Sequence, residues 1–164
     1  MKLFQNPTYR LAFQYLMPLV YAVVFYAFKV LPNEATVTST ILFLLGFYVG
    51  NLLLWVDGQF LYPFYNELRT EPKQLITRSA AFAIVFIVLA LFVITSSGNY
   101  IGSGLIFGIG LSLFAEYYAY CNLPEDFNLR FLFQLKRPLE GVEIRKLVHS
   151  FAVAMVVLTI LFYF

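Results

Sequence analysis

The sequence predicts an all-α, polytopic bundle of transmembrane helices, and three observations carry that prediction. Hydrophobic residues make up 61% of the chain and charged residues only 12%, where a soluble domain carries about 25% charge. Five apolar stretches, at roughly 8–31, 37–56, 76–97, 100–121 and 143–164, each approach the ~20 residues a helix needs to cross a bilayer. With five crossings the connecting segments alternate sides, and Lys2, Arg10, Arg69, Lys73, Arg78, Arg130, Lys136, Arg137, Arg145 and Lys146 all fall on one of them. Only Lys29 lies near the other, at a span end from which a lysine reaches outward. Basic residues gather on the cytoplasmic face, so the N-terminus is expected inside and the protein is expected in the cell membrane as one multi-pass domain over 1–164.

The first span opens with Asn6-Pro7, a cap followed by a first-turn proline. Its apolar run exceeds the ~7–15 residues of a signal-peptide core, so it is expected to be a span and not a cleavable leader. Pro18, inside it, deprives the Gln14 carbonyl of its usual donor. A polar group from a neighbouring helix must then cover that carbonyl. Pro32-Asn33 turns the chain, and Thr36 or Thr38 can cap the second span.

The second span carries Gly46 and Gly50 four residues apart, then Asn51, Trp55 and Asp57. The fourth carries Gly104, Gly108, Ser112 and Glu116 at the same spacing, hence on one helical face. Small residues so placed let membrane helices approach closely. Packing inside the chain and self-association both fit this pattern, and the former is the expectation. Residues 58–71, rich in Phe and Tyr, read as a segment lying along the interface. Pro72 can open the third span, and Ser96-Ser97-Gly98-Asn99 turns it tightly into the fourth.

Pro124-Glu125-Asp126 starts a short helix between spans four and five. Its stripe of Phe127, Phe131 and Leu135 is expected to run on until Pro138. Arg130, Lys136 and Arg137 beside the stripe suit anionic headgroups, while packing under the bundle fits the pattern equally. A faint internal likeness joins the second and fourth spans: glycines, then an acid, then an aromatic segment and a returning helix. Parallel repeats of this kind occur in transporters.

The chemistry concentrates on two carboxylates. Glu116 is the deeper and Asp57 the shallower, and an ionised acid inside a membrane needs a partner, water or a proton. Arg78, Arg145, Lys146 and His149 stand at the same depth as charge partners for Glu116. A proton or ion site shared with Asp57 is the alternative. His149 is the one histidine and Cys121 the one cysteine. No ligand-spaced motif points to a metal, no catalytic or nucleotide-binding fingerprint is present, and no cofactor is expected. A net charge of +2 gives no argument for nucleic acid.

Partners are expected to be the bilayer with its anionic headgroups, a second copy, or another membrane protein. The leading expectation is a non-catalytic membrane subunit or scaffold associating through its small-residue helix faces. An oligomeric ion- or proton-coupled transporter or channel using Glu116 is the alternative. A lipid-modifying enzyme at the inner leaflet ranks third.

Overall fold

A computed structural model describes residues 6–32, 35–62, 74–96 and 98–164. It is helical, with no strand among the described residues. Helix α1, Pro7–Phe25, starts where the Asn6 side chain accepts from the Thr8 N–H at 3.0 Å, and its last turn widens into a π turn over Tyr26–Val30. Helix α2, Val37–Val56, is capped by Thr36, whose hydroxyl accepts from the Ser39 N–H at 3.3 Å. Then come a 3₁₀ turn at Ile76–Arg78, α3 at Ala80–Ser96, α4 at Tyr100–Tyr120, α5 at Pro124–Phe131 and α6 at Gly141–Tyr163.

Three boundaries differ from the sequence reading. Helix α2 does not stop at Asp57-Gly58: a π turn continues it over Asp57–Leu61. Gly58 is buried beside Leu75 and Arg78, and this tertiary cover holds the chain helical past a residue that otherwise favours a turn. The remainder of the expected interfacial segment, 63–71, lies outside the described residues, as do Asn33, Pro72 and Ser97.

The third helix begins at Ala80 and not at 76. Ser79 is extended, and its hydroxyl accepts from the Phe82 N–H at 3.1 Å while donating to the Ile76 carbonyl at 2.8 Å, which makes it the cap. Helix α5 ends at Phe131, short of Pro138. Asn128 folds the chain back by donating to the carbonyls of Pro124 (2.8 Å) and Leu139 (2.9 Å) and accepting from the Leu139 N–H (2.8 Å). Leu135 is therefore off the stripe and exposed, while Phe127 and Phe131 are buried against Tyr117.

Among the described residues four helices are long and apolar enough to cross a membrane: Thr8–Val30, Val37–Phe60, Tyr100–Tyr120 and Gly141–Tyr163. Five were expected. The 17 residues of α3 extend only about 25 Å at 1.5 Å per residue. It nonetheless runs antiparallel along α4, with Ser79 at the level of Tyr117 and Val93 at the level of Gly102.

Helix α4 is the centre of the bundle, with 67% of its membrane-length window buried against 33% or less in the other three long helices. Its tightest partner is α2. A Cβ on Gly46 would strike the carbonyl of Ile101, and one on Gly104 that of Phe43. Gly50 stands in the same relation to Leu105, and Gly108 to Phe47. Gly46 and Gly104 are 58 residues apart, as are Phe43 and Ile101, Gly50 and Gly108, and Phe47 and Leu105. The two helices thus run parallel and meet about a local two-fold axis along their length, backbone against backbone. Glycine is required at these positions because any side chain would occupy the neighbour's backbone.

The two ends of the bundle differ in chemistry. One end is an aromatic core, where Phe25, Phe43, Phe107 and Phe162 lie with ring centroids 5.2–6.1 Å apart. There Tyr163 donates to the Tyr21 carbonyl at 2.9 Å, and Tyr21 bonds Thr159 at 3.0 Å, tying α1 to α6. The other end holds Arg10, Arg78 and Arg130.

Candidate functional site

The arginine end is organised by the turn before α3. Arg78 reaches inward to Glu116 on α4, Nη1 to Oε1 at 2.7 Å, and its Nη2 donates to the Leu54 carbonyl of α2 at 3.0 Å. One residue earlier, the Thr77 hydroxyl donates to the carboxylate of Asp57, which is buried. Tyr117, wholly buried, donates to the carbonyls of Arg78 (2.9 Å) and Ser79 (3.1 Å). Both acids and the tyrosine therefore converge on the backbone and side chains of three residues, 77–79. A guanidinium suits this place because its planar fork satisfies a carboxylate and a carbonyl together, which an ammonium does less well.

Among the four candidate partners at the right depth, Arg78 is the partner of Glu116, and Lys146 is exposed. Arg145 is exposed, and His149, also exposed, spends Nδ1 on the Arg145 carbonyl at 2.6 Å within its own helix. Arg137 lies 3.6 Å from Glu143 with most of its side chain in the open, an arrangement that contributes little. Lys136 is exposed. Cys121 is buried, its thiol donating to the Tyr118 carbonyl at 3.2 Å. Among the described residues no group of three metal-ligating side chains forms.

One level deeper, Asn51 links three helices. Its Nδ2 donates at 3.0 Å to the Gln14 carbonyl, the one left open by Pro18, and its Oδ1 accepts from Ser112 of α4 at 2.6 Å. The Tyr48 hydroxyl covers the neighbouring Tyr15 carbonyl at 3.3 Å. The proline gap in α1 is thus filled from α2, and Ser112, expected as a packing residue, also donates a bond. Replacing Asn51 with Ala should destabilise the bundle by about 1 kcal/mol, in line with interhelical bonds inside membranes. In a Pro18→Ala background, where Gln14 regains a donor from its own helix, that cost should shrink. Thermal unfolding of the native protein and the three variants measures the coupling, and full additivity would show that Asn51 does not serve the proline gap.

Two adjoining cavities of about 240 Å³ each open at this end. Arg10, Leu75, Arg78, Glu116, Tyr120, Arg130 and Phe131 line the first. The second shares Arg10, Arg78 and Glu116 and adds Gln14, Asn51, Gln59 and the apolar Leu11, Leu54 and Trp55. Arg130 lies over the Tyr120 ring, 4.7 Å from its centroid. The Nε of Arg130 and that of Arg78 are buried with no hydrogen-bond acceptor among the described residues.

Sequence reasoning singled out Glu116, Asp57, Arg78 and Arg130. It missed Arg10, Thr77, Tyr117 and Tyr120 as members of one site. Asn51 was the one omission with a visible signal, since the Pro18 gap called for a donor.

No protein-family model matches the chain, and comparison with curated proteins and with solved structures likewise found no match. The functional reading therefore rests on the geometry alone.

Proposed function

We propose that the protein is a non-catalytic component of the cell membrane, a subunit or scaffold that crosses it five times with its N-terminus in the cytoplasm. One observation carries this reading: Glu116, the deep carboxylate, is held by Arg78 at 2.7 Å in a joint that ties α2, the turn before α3 and α4 together. A carboxylate so engaged serves as a brace and is poorly placed as a general base or a carrier. The course of α3 along α4 supports the fifth crossing, and the gathering of Arg10, Arg78 and Arg130 at one end, away from Lys29, supports the orientation.

The glycine rows are filled from within the chain. A second protein or second copy would then meet the lipid-facing side chains, such as Leu16, Val20 and Val23 of α1 or Ile84 and Val88 of α3. The test is purification of the tagged protein in gentle detergent or directly in lipid nanodiscs, with a stable assembly or a co-purifying membrane protein as the expected result. A lone monomer would overturn the reading.

The transporter reading keeps one observation in its favour, since Glu116 lines both cavities. Proteoliposome flux separates the two. A scaffold gives no ion or proton flux above empty vesicles, either as the native protein or as Glu116→Gln. A native flux lost in Glu116→Gln would establish the transporter.

A further inference from the structure

We propose that the cavities at the arginine end bind a phosphate group carrying at most one ester link, a phosphomonoester or free phosphate, with Arg10, Arg78 and Arg130 as its ligands. Among the described residues, three guanidiniums against the one carboxylate of Glu116 leave an excess of two positive charges around a shared space. Arginine does not deprotonate in proteins, so the excess is permanent. Two clustered positive charges attract an anion, and a phosphomonoester brings about −1.5 to −2 at neutral pH. A phosphodiester brings only one.

The donors match as well as the charge. Neither Arg10 nor Arg130 has a carboxylate partner among the described residues, and the buried Nε atoms of Arg78 and Arg130 still lack acceptors. Guanidiniums bind phosphate oxygens in pairs of parallel bonds. The Tyr120 ring fixes the Arg130 side chain in place, and the Glu116 and Leu54 bonds fix that of Arg78, so little ordering remains for the ligand to impose. At about 240 Å³, each cavity is below the ~300–1,000 Å³ of sites that enclose a whole drug-sized molecule. A headgroup or a small phosphate fits that volume.

The surroundings admit two sources. Leu11, Leu54 and exposed Trp55 flank the second cavity, as a lipid whose phosphate lay among the arginines would require. Free phosphate could enter from the aqueous side. This site differs from the expected headgroup contacts: of Arg130, Lys136 and Arg137, only Arg130 lines it. It stands independently of the scaffold reading.

The experiment uses the full chain in phosphatidylcholine nanodiscs, titrated with phosphatidic acid, with phosphatidylglycerol or with inorganic phosphate. Thermal unfolding and retained lipid by native mass spectrometry are the readouts. Arg10→Gln and Arg130→Gln are compared with the exposed Lys146→Gln as control. Arg78 is left intact because its loss would strand Glu116. Phosphatidic acid should bind tighter than phosphatidylglycerol, and each arginine variant should weaken it about tenfold, with Lys146→Gln unchanged. The same dependence on Arg10 and Arg130 with inorganic phosphate alone would support the site and assign it a soluble source. The proposal is overturned if no probe binds, if the arginine variants bind as the native protein does, or if Lys146→Gln weakens binding equally. Midpoints without added anion show whether each variant is folded. Arg10, half-buried and without an ion pair among the described residues, is the variant least exposed to that risk.

Discussion

Replacing Gly104 with Leu is expected to part α2 from α4 and to destabilise the bundle by about 3 kcal/mol or more, the upper end of overpacking effects. The obstacle is the carbonyl of Phe43 together with the Phe47 backbone nitrogen, and backbone cannot rotate aside as a side chain can. Gly46→Leu should act alike, since Gly46 faces the Ile101 backbone from the other side of the same two-fold seam. Two glycines calibrate the result. Gly110 meets only the flexible end of Met155 and the edge of Phe86, so a larger residue there should cost less. Gly98 has nothing within 4 Å, and Gly98→Leu should stay within about 0.5 kcal/mol of the native protein. Unfolding midpoints of the four variants in one detergent make the comparison. If Gly104→Leu matched Gly98→Leu, the α2–α4 seam would be wrong.

The second large effect is expected at the ion pair. Arg78→Gln leaves Glu116 buried with the guanidinium that holds it gone, and about 3 kcal/mol should be lost, the lower end of what breaking a buried pair costs. Glu116→Gln should cost less. The Arg78 side chain keeps its bond to Leu54 and is 21% exposed, against 10% for that of Glu116, so the stranded cation can turn toward the open cavity. The double variant Arg78→Gln/Glu116→Gln should be more stable than Arg78→Gln alone, because neither charge is then unpaired. Arg78→Lys should fall between, since one ammonium cannot serve the carboxylate and the Leu54 carbonyl with a rigid fork. Purely additive losses in this cycle would show that the two residues do not act as a pair.

Much of the architecture was legible in the residues. Apolar length located the helices, the caps Asn6 and Thr36 marked where α1 and α2 begin, and the turn through Asn99 marked the start of α4. The boundaries that went astray did so where tertiary contact overrode local preference. Gly58 is a helix breaker by itself but lies covered by Leu75 and Arg78. Ser79 sits inside an apolar stretch, yet its hydroxyl caps α3 and shortens that helix to 17 residues. Leu135 has the spacing of a stripe residue, yet Asn128 has already turned the chain.

The candidate site was legible only in part. Intramembrane charge marks Glu116, because hydrocarbon makes an unpartnered carboxylate costly at any position in the fold. It does not mark which of Arg78, Arg145, Lys146 or His149 answers it, nor that Arg10 and Arg130, 120 residues apart, share a cavity.

By itself the sequence determined that this chain is a helical membrane bundle, which residues are too polar or too small to face lipid, and which end collects the cations. Burial in hydrocarbon penalises each residue singly, and so leaves its record in composition and period. The tertiary structure alone decided the partners: Gly46 against Ile101, Asn51 beneath the Pro18 gap, Arg78 on Glu116, and three arginines around one space. Pairing depends on how helices rotate and slide against one another, and that follows from side-chain shapes summed over the whole bundle, which no local stretch encodes.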